Sequence, residues 1–156
     1  MRNPRLQIVV VGPVRPPHAD SAHEYERRVN ERVGLRVDEV ASEPLQRGGD
    51  QVLRREAERV RRRVLEGAYV VALVPDGRAP ASSEAFASWC SVRLDDPRPT
   101  VFLIGGAMGL DPEITRGADE RLSLGPLTLP HQLARVVLVE QLFRALAAIA
   151  GHPYAH

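Results

Sequence analysis

The sequence predicts an α/β fold, a parallel sheet with helices on both faces, and three observations carry that expectation. Four short runs rich in β-branched residues, Leu6–Val11, Leu35–Val40, Tyr69–Val74 and Thr100–Ile104, are mostly apolar instead of strictly alternating, as strands covered on both faces are. The stretches between them carry apolar residues at helical spacing, so strands alternate with helices in the order β-α-β-α-β-α-β. A chain of 156 residues with 44% hydrophobic content and no long polar tract is sized for one core, so residues 1–156 are expected to form a single domain.

The elements follow in order. Leu6–Val11 is a strand that ends at Gly12 and a proline-rich connection, Pro13 to Pro17. A helix is expected over Ala19–Val33, then the Leu35–Val40 strand, then a turn at Arg47-Gly48-Gly49. From Asp50 to Glu66 the residues Leu53, Ala57, Val60 and Val64 fall on one helical face. The Tyr69–Val74 strand breaks at Pro75-Asp76-Gly77, and the helix from Ser83 to Val92 sets Phe86 beside Trp89 and Cys90. Thr100–Ile104 empties into the glycine-rich stretch Gly105 to Gly109. Ligands of parallel sheets bind at the carboxyl ends of the strands, which is where two of these breaks fall.

The last helix, His131 to Ala150, carries Leu133, Val136, Val137, Leu138, Val139, Leu142, Phe143, Leu146 and Ile149 and so has no broad polar face. One side can pack on the sheet, and a second copy of the chain is the simplest cover for the other, which predicts a symmetric homodimer. Arg135 falls at nearly the angle of Leu142 and Leu146, where an unpaired charge is costly, so it is expected to have an anionic or polar partner. Glu140 and Arg144, four residues apart, are expected to pair on the helix surface or at an interface.

Composition narrows the function. The formal net charge is +1, which excludes a protein that coats nucleic acid and leaves room only for a local basic patch. Cys90 is the single cysteine, so neither an internal disulfide nor a cysteine-based zinc cluster is available, and a reducing cytoplasm is expected. The apolar run Leu6 to Val11 is too short for a secretory or membrane-spanning segment, so no membrane role is expected. The five histidines show no metal-ligand spacing, and no metal is expected.

Three stretches allow a functional and a plain reading. Gly105-Gly106-Ala107-Met108-Gly109 after a strand is either a backbone surface that a ligand can approach or an ordinary tight turn. Leu122 to His131 is apolar but broken by Gly125, Pro126 and Pro130, a stiff loop whose remaining amide groups need partners. A flat heterocycle such as adenine suits it, and so does a buried crossover. Arg54, Arg55, Arg59, Arg61, Arg62 and Arg63, with Glu56, Glu58 and Glu66 among them, form either a solvated face or a phosphate-binding surface.

Taken together, Ile104-Gly105-Gly106-x-x-Gly109-Leu110, Leu122-Ser123, Leu127-Thr128-Leu129-Pro130-His131-Gln132-Leu133, Arg135 to Ala145 and His152-Pro153-Tyr154 resemble one family closely. It is the ribosomal RNA large subunit pseudouridine N3-methyltransferase family, a minimal branch of the SPOUT superfamily. Val11-Gly12, Tyr25, Arg27-Arg28, Gly77 and Ser82 to Ala87 extend the resemblance along the chain. It implies a C-terminal trefoil knot, a tight homodimer, and S-adenosylmethionine bound in the knot loops. By position, the cofactor is expected against Leu73, Gly105 and the run Leu124, Gly125, Pro126, Leu127, Thr128 and Leu129. The implied substrate is a pseudouridine in a stem-loop of large-subunit ribosomal RNA, presented on assembled ribosomes.

Methylating N3 of pseudouridine removes its proton, so a base or polarising group belongs near the sulfonium. The family's tail lies near the bound cofactor, which nominates Tyr154 and His156 as the catalytic pair, with Arg135 on the cofactor carboxylate or an RNA phosphate. Two departures bear on this. The family reads Pro-Tyr-His and then a basic residue where this chain has Pro153-Tyr154-Ala155-His156, and its lysine after the first strand's glycine is replaced by Pro13-Val14-Arg15. A sister enzyme with another RNA target, or a dimer that binds S-adenosylmethionine without catalysis, are the alternative readings.

Overall fold

The computed structural model describes residues 3–155. Its elements are β1 (Leu6–Val11), α1 (Ala19–Val33), β2 (Leu35–Val40), α2 (Gly49–Arg61), β3 (Tyr69–Arg78), α3 (Ser83–Asp95), β4 (Thr100–Ile104), α4 (Pro112–Gly117), β5 (Glu120–Leu122) and α5 (His131–Ile149). The five strands form one sheet in the order β2-β1-β4-β3-β5, and every pairing is parallel.

The near-continuous apolar character of β1 and β4 has the expected cause. In β1, Ile8 and Val10 enter the core on one face while Val9 and Val11 enter a second core on the other. β4 divides Phe102 and Ile104 from Val101 and Leu103 in the same way. The first face is covered by α1, α3 and α5 and the second by α2 and α4. Each large side chain fully buried here stabilises the fold by about 1.5–3 kcal/mol relative to exposure.

Two boundaries differ from expectation. The helix expected to reach Glu66 stops at Arg61, because the side chain of Gln7, wholly buried in β1, claims the chain that follows. Its Nε2 donates to the Arg63 carbonyl at 2.7 Å, and its Oε1 accepts from the Leu65 N–H at 3.0 Å. β3 runs past Val74 to Arg78 with a break in register, so that Leu73 and Arg78 both face Leu122. The segment between them wraps around the chain leaving β5: the Ser123 N–H donates to the Arg78 carbonyl at 3.0 Å and Ser123 Oγ donates to the Pro75 carbonyl at 3.0 Å. α4 and the three-residue β5 are too short for periodicity to reveal.

Helix α5 is buried over nine residues, as its composition requires, but most of its cover comes from its own chain. It lies between α1 and α3, with Phe143 tilted against Tyr25 at 6.1 Å between ring centroids. Leu133, Val136 and Val137 remain half-buried. The apolar area left for a second copy is therefore smaller than the sequence alone implies.

Candidate cofactor and substrate site

The carboxyl ends of β4, β3 and β5 lie side by side, since Ala72 pairs with Leu103 and Leu73 with Leu122. This brings Leu73, Gly105 and the loop Leu124–Leu129 to one edge of the sheet, although Gly105 is about twenty residues distant in sequence from that loop. Leu73, Leu124, Gly125, Leu127 and Leu129 line a narrow apolar cavity of about 60 Å³ that Ala134 of α5 closes. A wider cleft of about 260 Å³ shares Leu124 and Gly125 with it and extends between α3 and α5, past Ser83, Phe86 and Gln141.

The loop has the chemistry of a binding surface. Leu127 is 77% exposed, an unusual position for a leucine among otherwise buried neighbours. Among the described residues the backbone N–H groups of Leu127, Thr128 and Leu129 have no acceptor, while Gly125 N–H is held by Ser123 Oγ at 3.0 Å. A purine ring has both an apolar face for such leucines and edge atoms for such amides. Because about 60 Å³ is far below the roughly 300 Å³ at which ordinary ligand pockets begin, a nucleoside must spread the loop or extend into the wider cleft. Pro126 and Thr128 are exposed on the loop and line neither space.

Gly105 also lines neither space, and its own chain explains why it is glycine. A Cβ there would stand 2.3 Å from the Gly109 carbonyl carbon and 2.7 Å from the Leu110 nitrogen. The tight-turn reading of Gly105 is thus satisfied by the fold itself, through the Gly109 N–H to Gly106 carbonyl bond of 3.0 Å.

Arg135 has the anionic partner that its buried position demands, but both partners are internal. Its Nε donates to Glu26 Oε1 at 2.6 Å and its NH1 to Glu39 Oε2 at 2.5 Å, with the residue only 3% exposed. The expected contact with a cofactor carboxylate or an RNA phosphate is therefore corrected: α1 and β2 already supply the charge, and the guanidinium has no open side. Arg135 escapes such an internal assignment from sequence because Glu26 and Glu39 lie about a hundred residues away.

Tyr154 sits in a short 3₁₀ turn, Pro153–Ala155, folded back on α5. Its hydroxyl is 3.0 Å from that of Tyr25 and donates to Glu140 Oε1 at 3.3 Å, and its ring meets Phe143 edge-on at 4.8 Å. Burial, with the Tyr25 hydroxyl and the Glu140 charge adding to it, pushes the phenol up to about 12. A phenol held there is a donor at neutral pH, so the base role expected of Tyr154 is corrected to a positioning one. His156, its expected partner, lies outside the described residues. The Glu140–Arg144 pair forms as expected at 2.5 Å, and Gln141 donates to Glu140 Oε2 at 2.8 Å while accepting from Ser83 Oγ at 2.9 Å. One hydrogen-bonded chain thus runs from the tail to the wall of the wider cleft, which no local sequence signal announces.

The arginines of α2 are partly neutralised. Arg47, Arg55 and Arg59 converge on the buried Glu43, at 3.0, 3.8 and 2.5 Å respectively. Arg54 and Arg62 are exposed and have no ion pair among the described residues. Cys90 is buried, and desolvation pushes its thiol up to about 12, which removes it as a nucleophile. Among the described residues no group of three or more potential metal ligands comes together, and no helix is long and apolar enough to cross a membrane.

Comparison with known proteins agrees with this architecture. Residues 5–156 match the family described as "Predicted SPOUT methyltransferase". The ribosomal RNA large subunit methyltransferase H of Gemmatimonas aurantiaca is 43% identical over 154 residues, covering 96% of this chain and 98% of that one. The protein of the same name from Acidiphilium cryptum is 43% identical over 152 residues, covering 96% and 92%. Among solved structures, a probable methyltransferase from Bordetella pertussis superimposes with a TM-score of 0.55 at 19% identity, covering 92% of this chain and 96% of that one, which supports the fold. With full-length identity above 40% to such relatives and a family match across nearly every residue, this chain belongs to the SPOUT methyltransferases, in the branch that holds the ribosomal RNA large subunit methyltransferases H.

Proposed function

We propose that this chain transfers a methyl group from S-adenosylmethionine to N3 of a pseudouridine in a stem-loop of large-subunit (23S) ribosomal RNA, on assembled ribosomes in the cytoplasm, as a homodimer. The observation that carries the reading is the loop Leu124–Leu129, exposed, apolar and with free amide groups at the carboxyl edge of a parallel sheet. The relatives' printed name supplies the RNA, and the resemblance through Ile104–Leu110, Leu122–Leu133 and His152–Tyr154 supplies the nucleotide. The wrapping of the segment Val74–Arg78 around Ser123 supports the trefoil threading that the resemblance implies.

When bound, S-adenosylmethionine supplies an electrophilic methyl group on a sulfonium. The chain's own residues do the rest. Leu73, Leu127 and Leu129 give the purine an apolar seat, and the unpaired N–H groups of Leu127 to Leu129 meet its edge. The wider cleft, continuous with this seat through Leu124 and Gly125, is the space for the target base, with Phe86 as an aromatic wall and the Gln141 amide held by Ser83 and Glu140. Holding donor and acceptor side by side supplies much of the acceleration.

Calorimetry with S-adenosylhomocysteine tests the seat, and mass spectrometry of ribosomal RNA, methylated by the purified protein on ribosomes from a deletion strain, tests the substrate. Saturable binding and a methylpseudouridine are expected. Methylation of free RNA only, or of another nucleotide, favours a sister enzyme with a different target, and binding without any transfer favours a non-catalytic cofactor-binding dimer. For the dimer, the half-buried stripe Leu133, Val136 and Val137 is the contact. Val136→Asp is expected to yield monomers in sedimentation, and a parental protein that is monomeric at micromolar concentration rejects the dimer.

A further inference from the structure

With Tyr154 held as a neutral donor, the proton on the target nitrogen still needs an acceptor near the cofactor seat. We infer that His131 is that acceptor, a catalytic residue taking the N3 proton on its Nδ1 atom. The inference rests on the proposed methyl transfer to pseudouridine.

His131 opens α5 directly after Leu129 and Pro130 of the cofactor loop. Three residues on, Ala134 closes the narrow cavity, and side chains at i and i+3 share a helix face. The imidazole is half-buried and lies against Gly12, at the carboxyl end of β1. β1 pairs with β4, so this is the edge of the sheet that also carries Gly105.

The chain makes room for the ring and fixes its tautomer. A Cβ on Gly12 would stand 2.9 Å from His131 Nε2, and Gly12 has φ +94°, a conformation that suits only glycine. Nε2 lies 3.3 Å from the Pro13 carbonyl, which can only accept, so Nε2 carries the hydrogen and Nδ1 carries the lone pair. Among the described residues Nδ1 has no hydrogen-bond partner. The nearest charge on the same helix face, Arg135, is already paired with Glu26 and Glu39 and does not compete for it. The N-terminus of α5 has no side-chain cap, so its first N–H groups are free to meet an imide oxygen as charge develops there.

In the step, the N3–H bond breaks as its proton moves to Nδ1, the nitrogen lone pair forms the N3–CH₃ bond, and the sulfur–methyl bond breaks with its electron pair remaining on sulfur. The positive charge passes from the sulfonium to the imidazolium, and a neutral thioether and a methylated imide result.

The test uses His131→Gln, whose amide nitrogen reaches the Pro13 carbonyl as Nε2 does but offers no base. Nitrogen-15 spectra of the full chain, with the His131 signals identified by their loss in the variant, are expected to show the Nε2–H tautomer. Single-turnover transfer to ribosomes lacking the modification is expected to fall by about a hundredfold or more, with S-adenosylhomocysteine affinity within about twofold of the parent. A proton on Nδ1, a variant that methylates at the parental rate, or a loss accounted for by weaker cofactor binding overturns the assignment. Parental protein that methylates no ribosomal RNA at all overturns the proposed substrate, so the two failures are told apart by the parent alone.

Discussion

Arg135 and Glu26 form a two-pronged ion pair in the interior, with guanidinium nitrogens 2.6 and 3.2 Å from the two carboxylate oxygens. Glu39 closes the other side, so α5, α1 and β2 are tied through one arginine. Removing the guanidinium leaves carboxylates without compensation, and breaking a buried pair of this kind costs about 3 kcal/mol or more. Arg135→Met is expected to lower the unfolding midpoint in denaturant while leaving S-adenosylhomocysteine affinity of the folded protein near the parental value. For Glu39, burial pushes the carboxyl up, but hydrogen bonds and charge from Arg135, with the Val14 N–H, bring it below its usual 4.5. A lowered folded value stabilises above the ordinary glutamate range and loses that contribution as pH falls through the folded value. The stability gap between parent and Arg135→Met should therefore narrow below about pH 4.5 in acid titrations followed by circular dichroism.

Tyr154 should behave as a hydrogen-bonding clamp. Its phenol is raised from 10.0 to about 12, so the folded state holds that proton more tightly than the unfolded one. The contribution is fully present below the unfolded value and lost as pH climbs through the folded one, so it decays between about pH 10 and 12. Tyr154→Phe keeps the ring against Phe143 and loses the bonds to Tyr25 and Glu140, a change of about 1 kcal/mol at neutral pH. Difference ultraviolet titration of parent against variant reads the ionisation directly. A tyrosinate appearing near pH 10 would restore Tyr154 as a base.

What the sequence disclosed follows the range over which its signals act. β1 and β4 are legible because burial on both faces writes itself into six and five consecutive residues. The start of α3 is legible through Ser82, whose hydroxyl accepts from the Ala85 N–H at 3.0 Å. The end of α2 is hidden because it depends on Gln7, nearly sixty residues away in sequence. At the site, the leucines of the loop stand out locally as an apolar run that no regular element explains, whereas the partners of Arg135 and Tyr154 depend on how α1 meets α5. His131 was visible only as one letter of a motif, and its pairing with Gly12 required the chain to fold.

Leu127 offers a separation of binding from stability. Being 77% exposed, it contributes little to the fold, and Leu127→Asn should change unfolding free energy by no more than about 0.5 kcal/mol. If the purine covers it, the same change should weaken S-adenosylhomocysteine roughly tenfold, in keeping with the loss of about 1.5 kcal/mol of apolar burial. Calorimetry on parent and variant makes the comparison. Unchanged affinity would place the purine elsewhere along the sheet edge.

Gly105 calls for the opposite approach, because substitution there confounds two effects. An alanine Cβ would overlap the Gly109 carbonyl carbon at 2.3 Å, so Gly105→Ala must displace the Gly106–Gly109 turn whether or not a ligand touches it. Overpacking against backbone of this kind costs about 1–3 kcal/mol, and loss of cofactor affinity in the variant would follow from the damaged turn alone. The parental chain answers the question better. Hydrogen exchange of the Gly105 to Gly109 amides should slow when S-adenosylhomocysteine is added if the cofactor lies over the turn, as it should for Leu127 to Leu129, whose amides have no acceptor among the described residues. Slowing confined to Leu127–Leu129 would leave Gly105 a structural glycine and move the cofactor's outer half away from β4, towards the wider cleft between α3 and α5.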